Sequence, residues 1–389
     1  MNIARKVASE LGHHMTNVTI LGTGFAALTA ARRLRAADKN LEITLVAPEP
    51  NLVYLPSLIW LPSGQRKPED IVIPLEGFFR RNNIQYIEGA AESLGESGRL
   101  VKTTGGDVRN DGLIIGTGGK FIKKLPGIEN ALTPCEGVAP VMEFKERLEQ
   151  MDGGTLAFGF AGNPKEGSAM RGGPMFEFLF GTDELLRRQG QREKFNLVFF
   201  SPAPKPGIKL GEKIVPKLMK RMKDLGITTH LGHKMVRFEP DKVVTEGGEF
   251  SADIILFIPG MTGNPWFDNT ELPRSPGGLI KADAQCRVPG FPCTYVAGDA
   301  GSFPGPDWMP KQAHMADLQA TAAAANLLTE LKGRTPERTF RIELFCVIDD
   351  NKSGTVVTRT PRLNLVLPPT GLAHRSKEFF EKMYLRHYR

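Results

Sequence analysis

The chain has 389 residues, 41% hydrophobic and 24% charged, which excludes bulk disorder and exceeds what one hydrophobic core supports, so two or three domains are expected. Four cysteines (Cys135, Cys286, Cys293, Cys346) without a Cys-x-x-Cys pair exclude a disulfide scaffold and a zinc ribbon, and no uncharged apolar run reaches the roughly 18 residues of a spanning helix. Lys plus Arg exceed Asp plus Glu by 50 to 43; the excess fits a solvated basic surface or an anionic partner equally. Its even spread, with no nucleic-acid motif, argues against nucleic acid.

The first residues lead to His13-His14 with no apolar segment, so no secretory signal is expected and a cytoplasmic location is assumed. The apolar run 17–21 predicts a strand that breaks at Gly22-Thr23-Gly24-Phe25-Ala26-Ala27; an Ala-rich helix is expected over 28–37 and a second strand over 41–46. A Gly-rich turn between strand and helix is the dinucleotide-binding arrangement. Gly22 allows the tight turn, Gly24 admits a pyrophosphate to the backbone N–H groups, and Ala27 is the small residue that lets helix and strand pack closely. The acid that usually ends the second strand and grips the ribose is missing: Ala47 follows Val46, and the nearest carboxylate is Glu49, beyond Pro48.

Two later segments have the same character. A strand at 110–115 ends in Gly116-Thr117-Gly118, and another at 293–297 ends in Gly298-Asp299. An acid at the second position is suited to accept hydrogen bonds from a ribityl chain, which favours FAD over NAD. Between them a further strand–turn–helix unit begins at Thr155, but its glycines are not spaced to cradle a pyrophosphate, and the next strand, 195–200, ends in Ser201-Pro202 rather than an acid. That half is expected to bind NADH poorly. A long Ala-rich helix is predicted over 312–331, just after Lys311, and an aromatic, basic helix at the C-terminus, where Phe379, Phe380, Met383, Tyr384 and Tyr388 share one face. The last pattern suits a helix lying in a lipid interface or one docked on the body of the protein.

With these motifs the chain resembles the two-dinucleotide-binding-domain flavoproteins, and within them the sulfide:quinone oxidoreductases. The more specific matches are Tyr54-Leu55-Pro56-Ser57 within 51–64, Gly173-Pro174-Met175-Phe176-Glu177-Phe178, and Met309-Pro310-Lys311-Gln312 after Gly298-Asp299. Type II NADH dehydrogenases and flavocytochrome c sulfide dehydrogenases share the architecture.

The resemblance implies an α/β fold of two Rossmann-like dinucleotide-binding domains, glutathione-reductase-like, plus a C-terminal region. The expected division is an FAD domain split over 1–122 and 276–334, a degenerate second domain over 123–275, and a flavin-covering, membrane-contacting region over 335–389. It implies FAD held by Gly22, Gly24, Phe25, Ala26, Ala27, Glu49, Pro56, Thr117, Gly118, Gly298, Asp299 and Lys311. It also implies a reduced sulfur compound as donor, quinone from the membrane pool as acceptor, a peripheral position on the inner face of the cell membrane, and scope for a homo-oligomer.

The implied two-cysteine relay is incomplete. Cys346 matches the late family cysteine and Cys135 an auxiliary one, but the essential early cysteine is expected near Met170 or Arg171, and neither is cysteine. Three readings stay open: Cys135 and Cys346 form an unusual pair, Cys346 acts alone, or the donor is not sulfide and Cys346 is an ordinary buried residue. Lys311 is expected to stabilise an anionic reduced flavin. Glu177, in an apolar stretch, is either a proton relay with raised pKa or a helix-start carboxylate. Cys286 and Cys293 read as structural, His314 as a packed core histidine, and His13, His14, His230 and His233 as no metal site.

Overall fold

The computed structural model describes residues 16–389, so His13 and His14 lie outside the described residues. In chain order the elements that build the site are β1 (Asn17–Leu21), α1 (Phe25–Ala37), β2 (Glu42–Ala47), β3 (Ile84–Glu88), β4 (Gly112–Ile115), β5 (Ala131–Leu132), β6 (Gly154–Phe160), α2 (Gly173–Arg188), β7 (Phe195–Ser201), β8 (Thr228–Leu231), β9 (Ile254–Ile258), β10 (Thr294–Val296), α3 (Ala313–Leu331), β11 (Leu344–Asp349), β12 (Gly354–Arg359), β13 (Asn364–Val366) and α4 (Gly371–Leu385).

The first sheet is parallel, in the order β10-β4-β1-β2-β3, and so draws strands from both ends of the chain. Val18, Ile20, Leu45, Ile114 and Val296 are buried. Strands covered on both faces read as near-continuous apolar runs rather than as alternation, which is why they stand out in the sequence. Helices α1 and α3 pack together on one face. Their alanines keep the backbones close, and Thr29 Oγ1 donates to Asp317 Oδ1 at 2.6 Å across the seam. At the end of β1, Gly22 has φ +107°, and a Cβ there would lie 2.6 Å from the Gly116 carbonyl oxygen. Only glycine fits that turn.

The second sheet is also parallel, in the order β5-β9-β6-β7-β8. Its core is aromatic: Phe158, Phe160, Phe176, Phe199 and Phe200 are all buried, with Phe176 stacked on Phe199 at 5.2 Å. Aromatic side chains of this size supply most of the burial in the layer.

The antiparallel strands β11–β13 and helix α4 close over both sheets. Thr370 caps α4, its hydroxyl accepting from the Ala373 N–H at 3.1 Å. Arg66 fixes the helix to the first half of the chain, pairing with buried Glu381 at 2.6 Å and lying 4.9 Å from the Trp60 ring. Loss of Arg66 leaves the buried Glu381 carboxylate without its cation, which costs about 3–5 kcal/mol.

The terminal helix therefore divides the aromatic face expected from sequence. Tyr388 is fully buried and Tyr384 half-buried, whereas Phe379, Phe380 and Met383 are 61%, 54% and 42% exposed. The helix docks through one part of that face and leaves the other in solvent. Among the described residues no helix is long and apolar enough to cross a membrane.

Candidate functional site

One large cavity, of about 1320 Å³, runs between the carboxyl ends of the two sheets and beneath the C-terminal layer. It exceeds the usual range of small-ligand pockets, up to about 1,000 Å³, as a long dinucleotide requires. Its walls are mostly apolar, so polar groups that reach it have strong effects.

At one end lies the β1–α1 turn. Gly22, Thr23, Gly24, Phe25 and Ala26 line the cavity, and a Cβ on Gly24 would meet no atom within 4 Å, only the open cradle. The α1 N-terminus has neither a side-chain cap nor an acidic residue in its first turn. Its N–H groups and dipole are free for a pyrophosphate. Thr117 and Gly118 join them from the end of β4, Gly298 and Asp299 from the end of β10, and Pro56 from the loop after β2.

Two expected cofactor contacts are corrected. Ala27 is buried under Gly116, with its Cβ 3.1 Å from where a Cβ of that glycine would stand; it packs the turn and does not face the cavity. Glu49 is exposed and also outside the cavity lining, where Val46, Ala47, Pro48, Gly89 and Ala90 form the wall. Pro48 turns the chain away before the carboxylate reaches the site.

At the other end, side chains from four elements converge. Lys311 is buried and donates to the Gly301 carbonyl oxygen. The next residue, Gln312, presents a buried Oε1 that has no partner among the described residues. An imide N–H of an isoalloxazine needs such an acceptor, and an unmet buried carbonyl costs free energy until it gets a donor. The free turn, the Asp299 carboxylate and this orphaned acceptor together fit FAD.

Glu177, on the second turn of α2, is buried and paired with Lys377 of α4, and its Oε1 accepts the Asp349 N–H at 3.0 Å. Burial pushes its carboxyl up to about 7, against the pull of Lys377. Asp349 itself accepts from Trp60 Nε1 at 3.1 Å and lies 2.7 Å from His374 Nδ1. A chain of polar groups therefore runs from the cavity to the partly exposed His374.

Cys346, on β11, is half-buried beside this network. Burial and Glu177 push its thiol up to about 12, with Lys377 pulling the other way. Cys135 is buried next to Arg171, and burial raises its thiol to about 11 despite that guanidinium. Each thiol thus faces its own cation, and both are protonated at neutral pH. Cys286 and Cys293 lie outside the cavity lining, Cys286 with its Sγ 3.6 Å from the Gln319 carbonyl oxygen.

His314 is not the packed core histidine expected from sequence. It is exposed, lines the cavity and lies 2.7 Å from Glu343 Oε1. His230 stacks on Phe250 at 4.2 Å, and among the described residues no group of three or more His, Cys, Asp or Glu could hold a metal ion.

In the second sheet, the segment 161–172 between β6 and α2 takes the place of a tight turn. Asn163 anchors it by donating to the Met261 and Gly277 carbonyl oxygens at 2.8 and 3.1 Å. A Cβ on Gly172 would strike the Phe160 ring at 2.7 Å, and Gly162 faces Met170. Ser201, where a ribose-binding acid would stand, donates to the Phe160 carbonyl oxygen at 3.1 Å. These two glycines are closed by neighbouring side chains, whereas Gly173, at the start of α2, opens on the cavity, into which the segment also sends Met170 and Arg171.

Sequence reasoning missed Lys377 and Asp317. Lys377 lies off the aromatic face in the sequence pattern, yet the α4 residues flanking it by one turn, Ala373 and Glu381, are buried. Asp317 lies half-buried between α1 and α4, taking hydrogen bonds from Thr29 and from Tyr384 at 3.1 Å, and burial pushes it up to about 6. Nothing in an Ala-rich helical pattern marks it.

A family model described as pyridine nucleotide-disulphide oxidoreductase matches residues 196–320. The chain is 25% identical to the sulfide-quinone reductase of Aquifex aeolicus over 95% of its own length and 90% of that protein's. It is 22% identical to the type II NADH:quinone oxidoreductase Ndh of Mycobacterium tuberculosis over 87% and 77% respectively. The crystal structure of the Aquifex aeolicus sulfide:quinone oxidoreductase superposes with a TM-score of 0.88 at 23% identity, covering 96% of this chain and 91% of that one. The NDH2 of Plasmodium falciparum gives 0.75 at 13% identity over 97% and 95%. The chain resembles the sulfide:quinone oxidoreductases. Its fold, two parallel sheets that meet at one crevice, is the two-dinucleotide-binding-domain α/β fold expected from sequence.

Proposed function

We propose that the protein is an FAD-dependent oxidoreductase that passes two electrons from a reduced sulfur compound, most simply sulfide, to a quinone. One observation carries this reading. Cys346, Glu177 and Lys377 line the same cavity as the Gly22–Gly24 turn and Asp299, and exposed Phe345 and Phe380 line it too, their rings 6.1 Å apart.

FAD, when bound, supplies the two-electron carrier. Gly22, Gly24 and the α1 N-terminus hold its pyrophosphate, Asp299 accepts from its ribityl hydroxyls, and Lys311 with the α3 N-terminus offsets negative charge on the reduced ring. Cys346 offers a sulfur nucleophile, which must first lose its proton. Glu177, poised near neutrality, would hold its proton at Oε2, since Oε1 accepts from Lys377 and from the Asp349 N–H, and would give or take a proton at the cavity wall.

The exposed apolar residues cluster in the last part of the chain: Leu363, Leu365, Leu367 and Leu372 with Phe379, Phe380 and Met383. They support shallow seating in a lipid surface, from which a lipid-soluble acceptor enters past Phe345 and Phe380. The long segment 161–172 and the serine that stands in place of a ribose-binding acid, Ser201, support a donor other than NADH. Anaerobic reduction tests the whole: sulfide is expected to bleach the flavin and NADH to leave it yellow. Bleaching by NADH at physiological concentration, with none by sulfide, overturns the reading.

A further inference from the structure

Where the resemblance calls for a cysteine, near Met170 or Arg171, the Arg171 side chain brings a cation to the cavity. Lys311 reaches the Gly301 carbonyl oxygen with Asp299 and Glu166 near it, and Lys377 pairs with Glu177 and lies near Asp349, so both lysines have carboxylates of their own. Arg171 shares Asp299 and brings further donors to the cavity.

Arg171 commits Nη2 to Asp299 and also meets the Cys135 thiol. The rest of its five-donor fork has no protein acceptor among the described residues, and the side chain lines the cavity. In the flavin-loaded protein Asp299 is shared with the ribityl hydroxyls, which leaves Arg171 still less compensated. At a solvent-facing stretch of the same cavity, exposed Lys205 and half-buried Lys209 form the lining. A cationic approach of this kind concentrates anions.

We infer that Arg171 is the seat of the electron donor, and that the donor is a small sulfur-bearing anion such as hydrosulfide, held as an ion pair beside Cys135. The inference rests on the sulfur-donor reading and deepens it. An arginine cannot capture sulfur covalently, so this seat binds the anion and leaves thiol chemistry to a cysteine.

Thiocyanate, a small, soft and redox-inert anion, probes the seat in the FAD-loaded full-length protein. It is expected to perturb the visible flavin spectrum saturably and to compete with sulfide in the bleaching reaction. Arg171→Met is expected to weaken thiocyanate on the order of tenfold or more, the usual worth of a charge-assisted contact, and Arg171→Lys to restore part of the loss. Lys205→Met is expected to leave saturation unchanged and to slow bleaching only at low salt.

Equal thiocyanate affinity in wild type and Arg171→Met overturns the inference. So does a variant that shifts only the flavin reduction potential, or a wild type with no saturable change. If Arg171→Met does not retain FAD, Arg171→Gln, which keeps donors toward Asp299 and Cys135 without the charge, carries the same comparison. The two readings fail separately. If sulfide bleaches no protein while thiocyanate still depends on Arg171, the sulfide reading falls and the anion seat stands. If sulfide bleaches wild type and Arg171→Met at equal rates, the seat falls and the sulfide reading stands.

Discussion

The two strand-to-helix turns of this molecule sit at equivalent ends of two parallel sheets and do opposite things. The first, from β1 to α1, takes three residues (22–24) and exposes bare backbone; the second, from β6 to α2, takes twelve (161–172) and fills the space with side chains. A helix N-terminus binds a phosphate only when the turn before it is short and open. Where the turn lengthens, the same scaffold delivers Met170 and Arg171 to a ligand held by its counterpart.

The sharpest way to break this comparison is to close the first turn. Gly24→Val adds a side chain to a cradle with no protein atom nearby, so the fold is expected to survive while FAD is lost from the purified protein. Gly162→Ala, at the second turn, is expected to leave flavin content unchanged. A yellow Gly24→Val protein with full flavin removes the assignment of the first turn.

Next in size is Cys346→Ser, expected to abolish sulfide-driven bleaching while the flavin stays bound. Unchanged stopped-flow kinetics would take Cys346 out of the chemistry. Both cavity thiols are also expected to react slowly with iodoacetamide at neutral pH, with rates rising about tenfold per pH unit as thiolate forms. Fast labelling at neutral pH would show that their raised values do not hold.

Smaller effects are expected away from the turns. Replacing Phe379 and Leu372 by Asp is expected to release the protein from anionic liposomes in a sedimentation assay without changing flavin content; full retention defeats the lipid reading.

The smallest effect concerns Glu177, whose carboxyl stands at about 7 in the fold against an ordinary 4.5. The folded state then keeps a proton that the unfolded chain releases, so this contribution is complete below the ordinary value and is lost as pH rises through 7. Glu177→Gln is expected to flatten that part of a denaturation profile, and an unaltered slope would place the raised group elsewhere.

The split sheet and the first turn were legible in the sequence because buried parallel strands are continuous apolar runs and a tight Gly-x-Gly turn has few alternatives. That Gly22, Gly24, Thr117, Gly118, Gly298 and Asp299 line one cavity follows from local pattern. Glu49 stands outside that lining, because the direction of a chain after proline is not a matter of spacing. The terminal helix was read as one aromatic face, but periodicity does not tell which neighbour covers which part of it.

By itself the sequence determined the strand–turn–helix grammar, since φ preferences and side-chain volume act over a few residues. Only the tertiary structure decided that Lys377 meets Glu177 and that Arg171 meets Asp299. Those pairings join residues more than a hundred positions apart, and their strength comes from burial, which no local pattern encodes.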